Sequence, residues 1–207
     1  MTSGKFTFYT NPMSRGQIVR WALHEAGADY DQVLLDYATS MKAEDYLKIN
    51  PMGKVPAIAH NGKTVTECAA ICAYLADACP KAGLAPHEDE RADYHRWLFF
   101  TAGPIEQAIT NMQFGVAVSQ EQERTAGYGN YDRVMDVLDQ KFQSDDYVCG
   151  NRFTMADVYV GSQVDWGLQF QSIPERDSFK AYAERLRGRD AYKEAKAVDA
   201  ALIAENS

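Results

Sequence analysis

The stretch NPMGKVPAIAHNGKTVTECAAICAYLAD, residues 50–77, decides the predicted fold. It opens with turn residues and continues into a strand-like run, residues 55–60, that contains the β-branched Val55 and Ile58. Asn61-Gly62 follows, and this pair favours a tight hairpin because both central residues of a type I′ turn need positive φ. Residues 63–66 are predicted to form the return strand.

A helix is predicted directly after Glu67. Apolar residues recur there at helical spacing, with Ala70, Ile71, Tyr74 and Leu75 on one face. The stretch is therefore expected to fold as a strand, a hairpin, a second strand and a helix.

The composition is that of an ordinary globular protein. Of its 207 residues, 46% are apolar and 24% charged, and the chain is long enough for one large domain or two small ones. A net charge of −8 with no basic stripe argues against a nucleic-acid partner. No apolar run has the length of a membrane span and the N-terminus lacks the core of a signal peptide, so we expect a cytoplasmic protein with no membrane partner.

Four cysteines are present, and their spacing contains neither a CxxC pair nor a paired metal-binding pattern. Cys68 and Cys72 lie one helical turn apart, which suits neither a disulfide within a helix nor a zinc site. We interpret all four as reduced thiols and predict no metal site.

The residues before the opening stretch predict a strand, a helix and a second strand. Residues 5–10 alternate and are rich in aromatic side chains, and residues 30–36 have the apolar Val33-Leu34-Leu35 at their centre. The helix between them starts at Ser14, which fits a capping box with Gln17. A helical crossover makes the two strands parallel. The order β-α-β followed by ββα is that of a thioredoxin-like domain, predicted over residues 1–78.

Residues 79–89 hold two prolines and a glycine and are predicted to be a linker. Beyond it every pattern is helical, which predicts an all-helical domain over residues 90–207. Gly103-Pro104 is expected to kink the first of its helices. Thr154 and Asp157 fit a second capping box. The predicted helices span residues 91–111, 124–143, 154–171, 178–187 and 191–204.

Val55-Pro56 before a hairpin, with Glu67 at the next helix start, resembles the glutathione site of the soluble glutathione S-transferase family. The domain order is similar too, and residues 150–157 resemble that family's capping motif. The resemblance spans nearly the whole chain and indicates a bacterial-like serine-type member. It implies a cis Val55–Pro56 bond, although proline at the start of a strand and a trans bond would be the common arrangement.

The resemblance places the glutathione site at Lys54, Val55, Pro56, Glu67 and Cys68. It implies that the cis-proline loop pairs with the cysteinyl backbone of glutathione, that Glu67 pairs with its γ-glutamyl ammonium and that Lys54 reaches its glycyl carboxylate. Cys68 replaces the family's usual serine, and because a thiol is a weak donor, the γ-glutamyl carboxylate would rely on the Cys68 backbone N–H and the helix dipole. Without a ligand role, Glu67 would be a carboxylate that the helix dipole favours at a helix start, and Lys54 would be a solvated lysine in a turn.

The glutathione thiol must be activated, since a thiol of pKa near 8.5 is only a few per cent thiolate at neutral pH. Lowering this pKa by about two units requires roughly 2.7 kcal/mol. A hydrogen bond to a charged acceptor contributes about 1.5–3 kcal/mol, and a helix N-terminus about 0.3–1 kcal/mol. One hydroxyl at a helix start is therefore sufficient, without a general base.

Ser14 stands at such a start and is the first candidate for the thiolate donor, although the same hydroxyl would cap the helix. An ungapped comparison with serine-type members would place Met13 at this position. Tyr9, at the end of the first strand, is the alternative because tyrosine-type members use that position. Thr10 and Asn11 remain open, as in some bacterial members.

The electrophile site is expected in the cleft between the domains, where a mixture of methionine and aromatic residues suits varied apolar substrates. The same residues also fit a helical core. The candidates are Phe100, Pro104, Met112, Phe114 and Trp166.

The predicted function is a glutathione transferase that uses glutathione as co-substrate and activates its thiol for attack on an apolar electrophile. The resemblance also implies a role in detoxification and a homodimer. A glutathione-dependent disulfide reductase, an isomerase or dehalogenase, and a non-catalytic family relative remain alternatives. The absence of CxxC argues against thioredoxin-type exchange, whereas Cys68 in place of serine keeps the non-catalytic alternative open.

Overall fold

The computed structural model describes residues 4–205. Contacts divide them into two compact units. The first contains the residues up to Ala85 together with those from Gly188 onward, and the second runs from Pro86 to Arg187. Across the described range, each helix is too short or too polar to cross a membrane.

The first unit has a four-stranded sheet in the order β2-β1-β3-β4. β1 and β2 are parallel, whereas β1 pairs with β3 and β3 with β4 in antiparallel fashion. The predicted thioredoxin-like domain is thereby confirmed. The strands are β1 (Phe6–Thr10), β2 (Tyr30–Leu34), β3 (Ala57–His60) and β4 (Lys63–Thr66). The α-helices that accompany the sheet up to residue 78 are α1 (Gly16–Glu25), α2 (Glu44–Leu47) and α3 (Cys68–Ala78).

The hairpin between β3 and β4 forms at the predicted place. Asn61 has a φ of 50° and Gly62 a φ of 73°, the positive values that a type I′ turn needs. His60 pairs with Lys63 on either side of this turn. Because the turn fixes the register, the far ends of both strands are fixed as well.

The pairing of β1 with β3 and of β3 with β4 brings three chain segments to one edge of the sheet. Tyr9 pairs with Ala57, and Ala57 pairs with Thr66. The residues that follow β1, precede β3 and follow β4 therefore lie at the same edge. These are the segments in which the predicted glutathione site and thiolate donor lie.

The second unit is helical throughout its regular structure, as predicted. It contains α4 (Arg91–Phe100), a π-helical segment (Thr101–Ile105), α5 (Glu106–Gln113), α6 (Tyr131–Ser144), α7 (Met155–Gln169) and α8 (Asp177–Arg187). Pro104 lies inside the π-helical segment, at the position where a kink was expected. The capping box of Thr154 and Asp157 at the start of α7 is confirmed.

Two helices differ from the prediction. The helix expected from residue 124 begins at Tyr131, because Gly129 has a φ of 75° and the Asn130 side chain accepts the Arg133 backbone N–H. The last helix, α9 (Asp190–Glu205), groups with the first unit and packs against α1, although we expected it in the helical domain. The functional boundaries 1–78, 79–89 and 90–207 remain predictions.

Candidate active site

The turn between β1 and α1 is organised by Asn11. Its side-chain amide donates to the Leu35 carbonyl at 2.8 Å, and its side-chain oxygen accepts the Met13 backbone N–H at 2.9 Å. Both ends of the Asn11 side chain are thus engaged with the backbone. This arrangement supports a role in holding the turn rather than in donating to a ligand.

Ser14 lies immediately before the helix. Its Oγ donates to the Asn11 carbonyl at 2.6 Å and accepts the Gly16 backbone N–H at 2.9 Å. Its side chain is half-buried. The hydroxyl can donate to a thiolate only when its O–H turns away from the Asn11 carbonyl.

The predicted capping box of Ser14 and Gln17 is wrong. α1 begins at Gly16, with Arg15 in the N-cap position. The Gln17 backbone N–H therefore reaches the Ser14 carbonyl at 3.2 Å rather than the Ser14 hydroxyl, and the Gln17 side chain donates to the Pro12 carbonyl at 2.6 Å.

Gly16 is required by its surroundings. A Cβ atom at this position would lie 2.0 Å from Thr10 Oγ1 and 3.0 Å from Ser14 Oγ. Thr10 is fully buried, and its hydroxyl faces the first turn of α1. Thr10 thus serves the close approach of β1 and α1, which leaves it poorly placed as a donor to an exposed ligand.

Tyr9 is half-buried against the hydrophobic cluster formed by Leu35, Met41 and Tyr46. Its ring centroid lies 5.6 Å from that of Tyr46. Val55 packs against the same cluster. The structure therefore brings Tyr9 and the predicted cis-proline loop together through their apolar surfaces.

The Val55–Pro56 bond is cis, as predicted. The Lys54 carbonyl just before it accepts the Tyr46 hydroxyl at 2.6 Å and the Asn50 side-chain amide at 2.8 Å. Burial raises the pKa of Tyr46 to about 12, so its hydroxyl stays protonated as a donor at neutral pH. The backbone of this loop is fixed, while the Lys54 side chain is exposed.

Glu67 and Cys68 mark the start of α3. Glu67 is exposed, with a φ of 66°, in the left-handed region where residues other than glycine are uncommon. Cys68 is buried, and its thiol donates to the Arg15 carbonyl at 3.8 Å. This contact joins the start of α3 to the residue that precedes α1, so the first turns of both helices lie near one another.

Nearly all of the predicted glutathione-side residues are thus carried by segments at one edge of the sheet. Sequence reasoning missed two residues that fix the proline loop, Tyr46 and Lys42. The Lys42 ammonium donates to the Gly53 carbonyl at 2.6 Å. A tyrosine in a short helix and a lysine in a turn carry no local signal of such roles. Asn50 was identified only as a turn residue.

All four cysteines are free thiols, as interpreted from the sequence. Burial raises the pKa of Cys72 well above its ordinary value, and that of Cys79 to a lesser degree. These two thiols therefore stay protonated at neutral pH. Within residues 4–205, no group of three or more His, Cys, Asp or Glu side chains is placed to hold a metal ion.

The helical unit contains a cavity of about 560 Å³. Of the predicted electrophile-site residues, Pro104 lines it and the other four do not: Phe100 packs edge-on against Trp97, Met112 and Phe114 are exposed, and Trp166 is half-buried. The wall consists of Ala102, Gly103, Pro104, Glu106, Gln107, Thr110, Gly127 and Tyr128.

The polar groups of this wall are held in place by hydrogen bonds from residues outside the wall. Glu106 accepts the Tyr159 hydroxyl at 2.9 Å and the Gln163 side-chain amide at 3.0 Å. The Tyr128 hydroxyl accepts the Asn111 side-chain amide at 2.8 Å. The wall of this cavity is therefore partly polar, and the predicted electrophile site remains a prediction.

Comparison with known proteins agrees with this architecture. Residues 4–77 match the N-terminal domain of glutathione S-transferase and residues 92–190 match its C-terminal domain. A sphingomonad glutathione S-transferase, solved in complex with glutathione, is 30% identical, with a TM-score of 0.76 over 94% of this chain and 98% of that chain. The chain belongs to the glutathione S-transferase family.

Two further relatives extend the comparison across both domains of this family member. Glutathione S-transferase GstA of Escherichia coli O157:H7 is 26% identical over 179 residues, which cover 84% of this chain and 88% of the relative. The ternary complex of BphK, a bacterial GST, is 26% identical, with a TM-score of 0.76 over 94% of this chain and 99% of that chain. The family predicted from the sequence is thereby confirmed.

Proposed function

We propose that this family member is a glutathione transferase, with glutathione bound at the edge of the sheet where β1 ends, β3 begins and β4 ends. The observation that carries the proposal is the register Tyr9–Ala57–Thr66, which brings the Ser14 turn, the Val55–Pro56 loop and the start of α3 to this edge. Glutathione is an extended tripeptide with charges at both ends, and these segments offer backbone groups between charged side chains.

The two ends of glutathione meet groups of opposite charge in this arrangement. The exposed Glu67 carboxylate binds the γ-glutamyl ammonium, and the N-terminus of α3 favours the neighbouring carboxylate. The exposed Lys54 ammonium lies on the proline loop and binds the glycyl carboxylate. The Val55 backbone pairs with the cysteinyl residue between them.

The cysteinyl thiol is activated by Ser14, whose hydroxyl turns from the Asn11 carbonyl to the sulfur. The Gly16 N–H keeps the Ser14 oxygen in place while the proton is redirected. Together with the N-terminus of α1, this one hydrogen bond supplies the roughly 2.7 kcal/mol that a two-unit decrease of the thiol pKa requires. The thiolate then attacks the electrophile.

The helical unit supplies the electrophile site. Glu106 and Tyr128 in its cavity favour a substrate that carries polar groups beside its apolar part.

We also propose that the protein acts in the cytoplasm, in detoxification, as a twofold dimer. Light scattering that gives the mass of a single chain would contradict the dimer.

Titration calorimetry with glutathione tests the binding site. Glu67→Gln keeps the size and shape of the side chain and removes its charge, so the γ-glutamyl ammonium loses its charged partner. We expect affinity to fall about 5- to 150-fold, the equivalent of about 1–3 kcal/mol. Asp77→Asn, on an exposed position near the other end of α3, is the matched control and should bind like the parent protein.

Unchanged affinity in Glu67→Gln would refute the assigned site, and failure of the parent protein to bind glutathione would refute the function. Conjugation of glutathione to chlorodinitrobenzene, followed by absorbance, then separates a transferase from a protein that only binds glutathione.

A further inference from the structure

Helix α9 is tied to α1 along its length. The buried Arg20 guanidinium donates from Nε to Asp199 Oδ1 at 2.8 Å, and both side chains are at most 2% exposed. Arg189, which immediately precedes α9, makes two hydrogen bonds to the Glu25 carboxylate, at 2.6 and 2.7 Å. These contacts fix the position of the last helix against the helix that begins beside Ser14.

A third contact reaches the predicted catalytic turn itself. The Lys196 ammonium donates to Gln17 Oε1 at 2.8 Å, and Gln17 Nε2 donates to the Pro12 carbonyl at 2.6 Å. Pro12 lies between Asn11 and Ser14, within the turn that presents the Ser14 hydroxyl. A chain of two hydrogen bonds therefore runs from the last helix to this turn.

The cation determines which way the Gln17 amide points. An ammonium donates hydrogen bonds and accepts none, so the amide oxygen must face Lys196 and the amide nitrogen is left to face Pro12. Without Lys196, the two orientations of the amide would differ less in free energy, and the reversed amide would set its oxygen against the Pro12 carbonyl oxygen.

We propose that Lys196 is a positioning residue for the thiolate donor: through Gln17 it holds the Pro12 carbonyl and thereby sets the geometry of the Ser14 turn. The role rests on the proposed function of Ser14. Arg20–Asp199 and Arg189–Glu25 dock α9 through hydrogen bonds that do not include Lys196, and Lys196 is only half-buried, so the helix stays in place when the charge of Lys196 is removed. The effect is therefore local to the turn.

Lys196→Met tests this role because it keeps the length of the side chain and removes the cation. Lys193→Met is the matched control: Lys193 lies on the same helix, is exposed, and is 3.7 Å from the neighbouring Asp190. With glutathione and chlorodinitrobenzene, we expect the kinetic pKa of the bound thiol to rise in Lys196→Met. The value of kcat at neutral pH should fall about three- to tenfold, with KM for glutathione nearly unchanged.

Lys196→Arg should restore most of the rate, since a guanidinium also donates to Gln17. Equal pH profiles in Lys196→Met and Lys193→Met would overturn the proposal. A lower rate that accompanies a lower unfolding temperature and leaves the kinetic pKa in place would also overturn it, because that pattern indicates general destabilisation.

Amide hydrogen exchange separates this proposal from the proposed function. The Gly16 N–H is bonded to Ser14 Oγ, so its exchange rate reports the order of the turn without any substrate. Faster exchange at Ser14 and Gly16 in Lys196→Met, but not in Lys193→Met, supports the positioning role whichever reaction the turn serves. Unchanged exchange overturns it, even in a protein that conjugates glutathione.

Discussion

Gly16 donates its backbone N–H to Ser14 Oγ across 2.9 Å. The proposed thiolate donor is therefore held by the first residue of α1, and its oxygen already accepts one hydrogen bond from the helix start. The hydroxyl hydrogen of Ser14 is donated to the Asn11 carbonyl, and it must turn from that carbonyl to the thiolate.

Ser14→Ala should raise the kinetic pKa of bound glutathione by about two units and lower kcat at neutral pH on the order of 10²-fold, because the thiolate fraction follows the pKa. pH–rate profiles measure both quantities. Glutathione affinity should change little. Folded protein must be compared, since loss of this local hydrogen bond also costs about 1 kcal/mol of stability.

Tyr9→Phe is the contrasting variant. The Tyr9 ring packs in the cluster around Tyr46, and the phenylalanine ring keeps that packing. We expect its pH profile to match that of the parent protein. If Tyr9→Phe shifts the kinetic pKa and Ser14→Ala does not, the tyrosine replaces the serine as thiolate donor.

Gly16→Ala should destabilise the fold by about 1–3 kcal/mol, because the new Cβ meets the fully buried Thr10 hydroxyl at 2.0 Å. Urea unfolding measures the change. Gly103→Ala is the matched control, since a Cβ there has no neighbour within 4 Å. Adding Thr10→Ala to Gly16→Ala should recover part of the loss, and an equal cost in both glycine variants would show that crowding is not the cause.

Cys68→Ser should preserve or tighten glutathione binding. The thiol is a weak donor, and its present contact with the Arg15 carbonyl spans 3.8 Å, whereas a hydroxyl is a stronger donor to the γ-glutamyl carboxylate. The gain should be at most about tenfold, corresponding to about 0.5–1.5 kcal/mol. Titration calorimetry compares the glutathione affinity of Cys68→Ser with that of Cys68→Ala. Weaker binding in the serine variant would count against the assigned contact.

Glu90 should make the helical unit sensitive to acid. Two hydrogen bonds from Arg152, one of them from Nε at 3.0 Å, lower the pKa of Glu90 from its ordinary value of 4.5 to about 2. A carboxyl whose pKa is lowered in the folded state stabilises the fold above its unfolded pKa. That stabilisation is lost as the pH falls from 4.5 to about 2.

Glu90→Gln should therefore cost about 1–3 kcal/mol at neutral pH and little at the acid end of this window. Urea unfolding at several pH values checks the trend. The exposed Glu88 gives the control, Glu88→Gln, which should follow the parent protein throughout. Parallel pH curves for the parent and Glu90→Gln would contradict the assigned ion pair.

The local signals in the sequence were sufficient to predict most of the strands and helices of the first unit. Asn61-Gly62 determines a turn whose register places Ala57 opposite Thr66, whereas the pairing of Tyr9 with Ala57 depends on the separate contact between β1 and β3. The predicted start of α6 lies too early in the chain, although the glycines at 127 and 129 indicate that the helix begins after them.

The parts that were missed depend on contacts between distant residues. Ser14 was identified at a helix start, but its bond to Gly16 rather than Gln17 depends on how close β1 and α1 lie at Thr10. No local pattern relates Lys196 to Gln17, which are 179 positions apart. The polar wall around Glu106 depends in the same way on partners from another helix.

The docking of α9 on α1 has a consequence for how the chain is made. A ribosome releases the four strands and α1 before the helical unit, and α9 only after it. Throughout that interval Arg20, fully buried in the final fold, has no Asp199 to neutralise it, and an uncompensated charge in a core is strongly unfavourable. The unit that is synthesised first therefore completes its packing last.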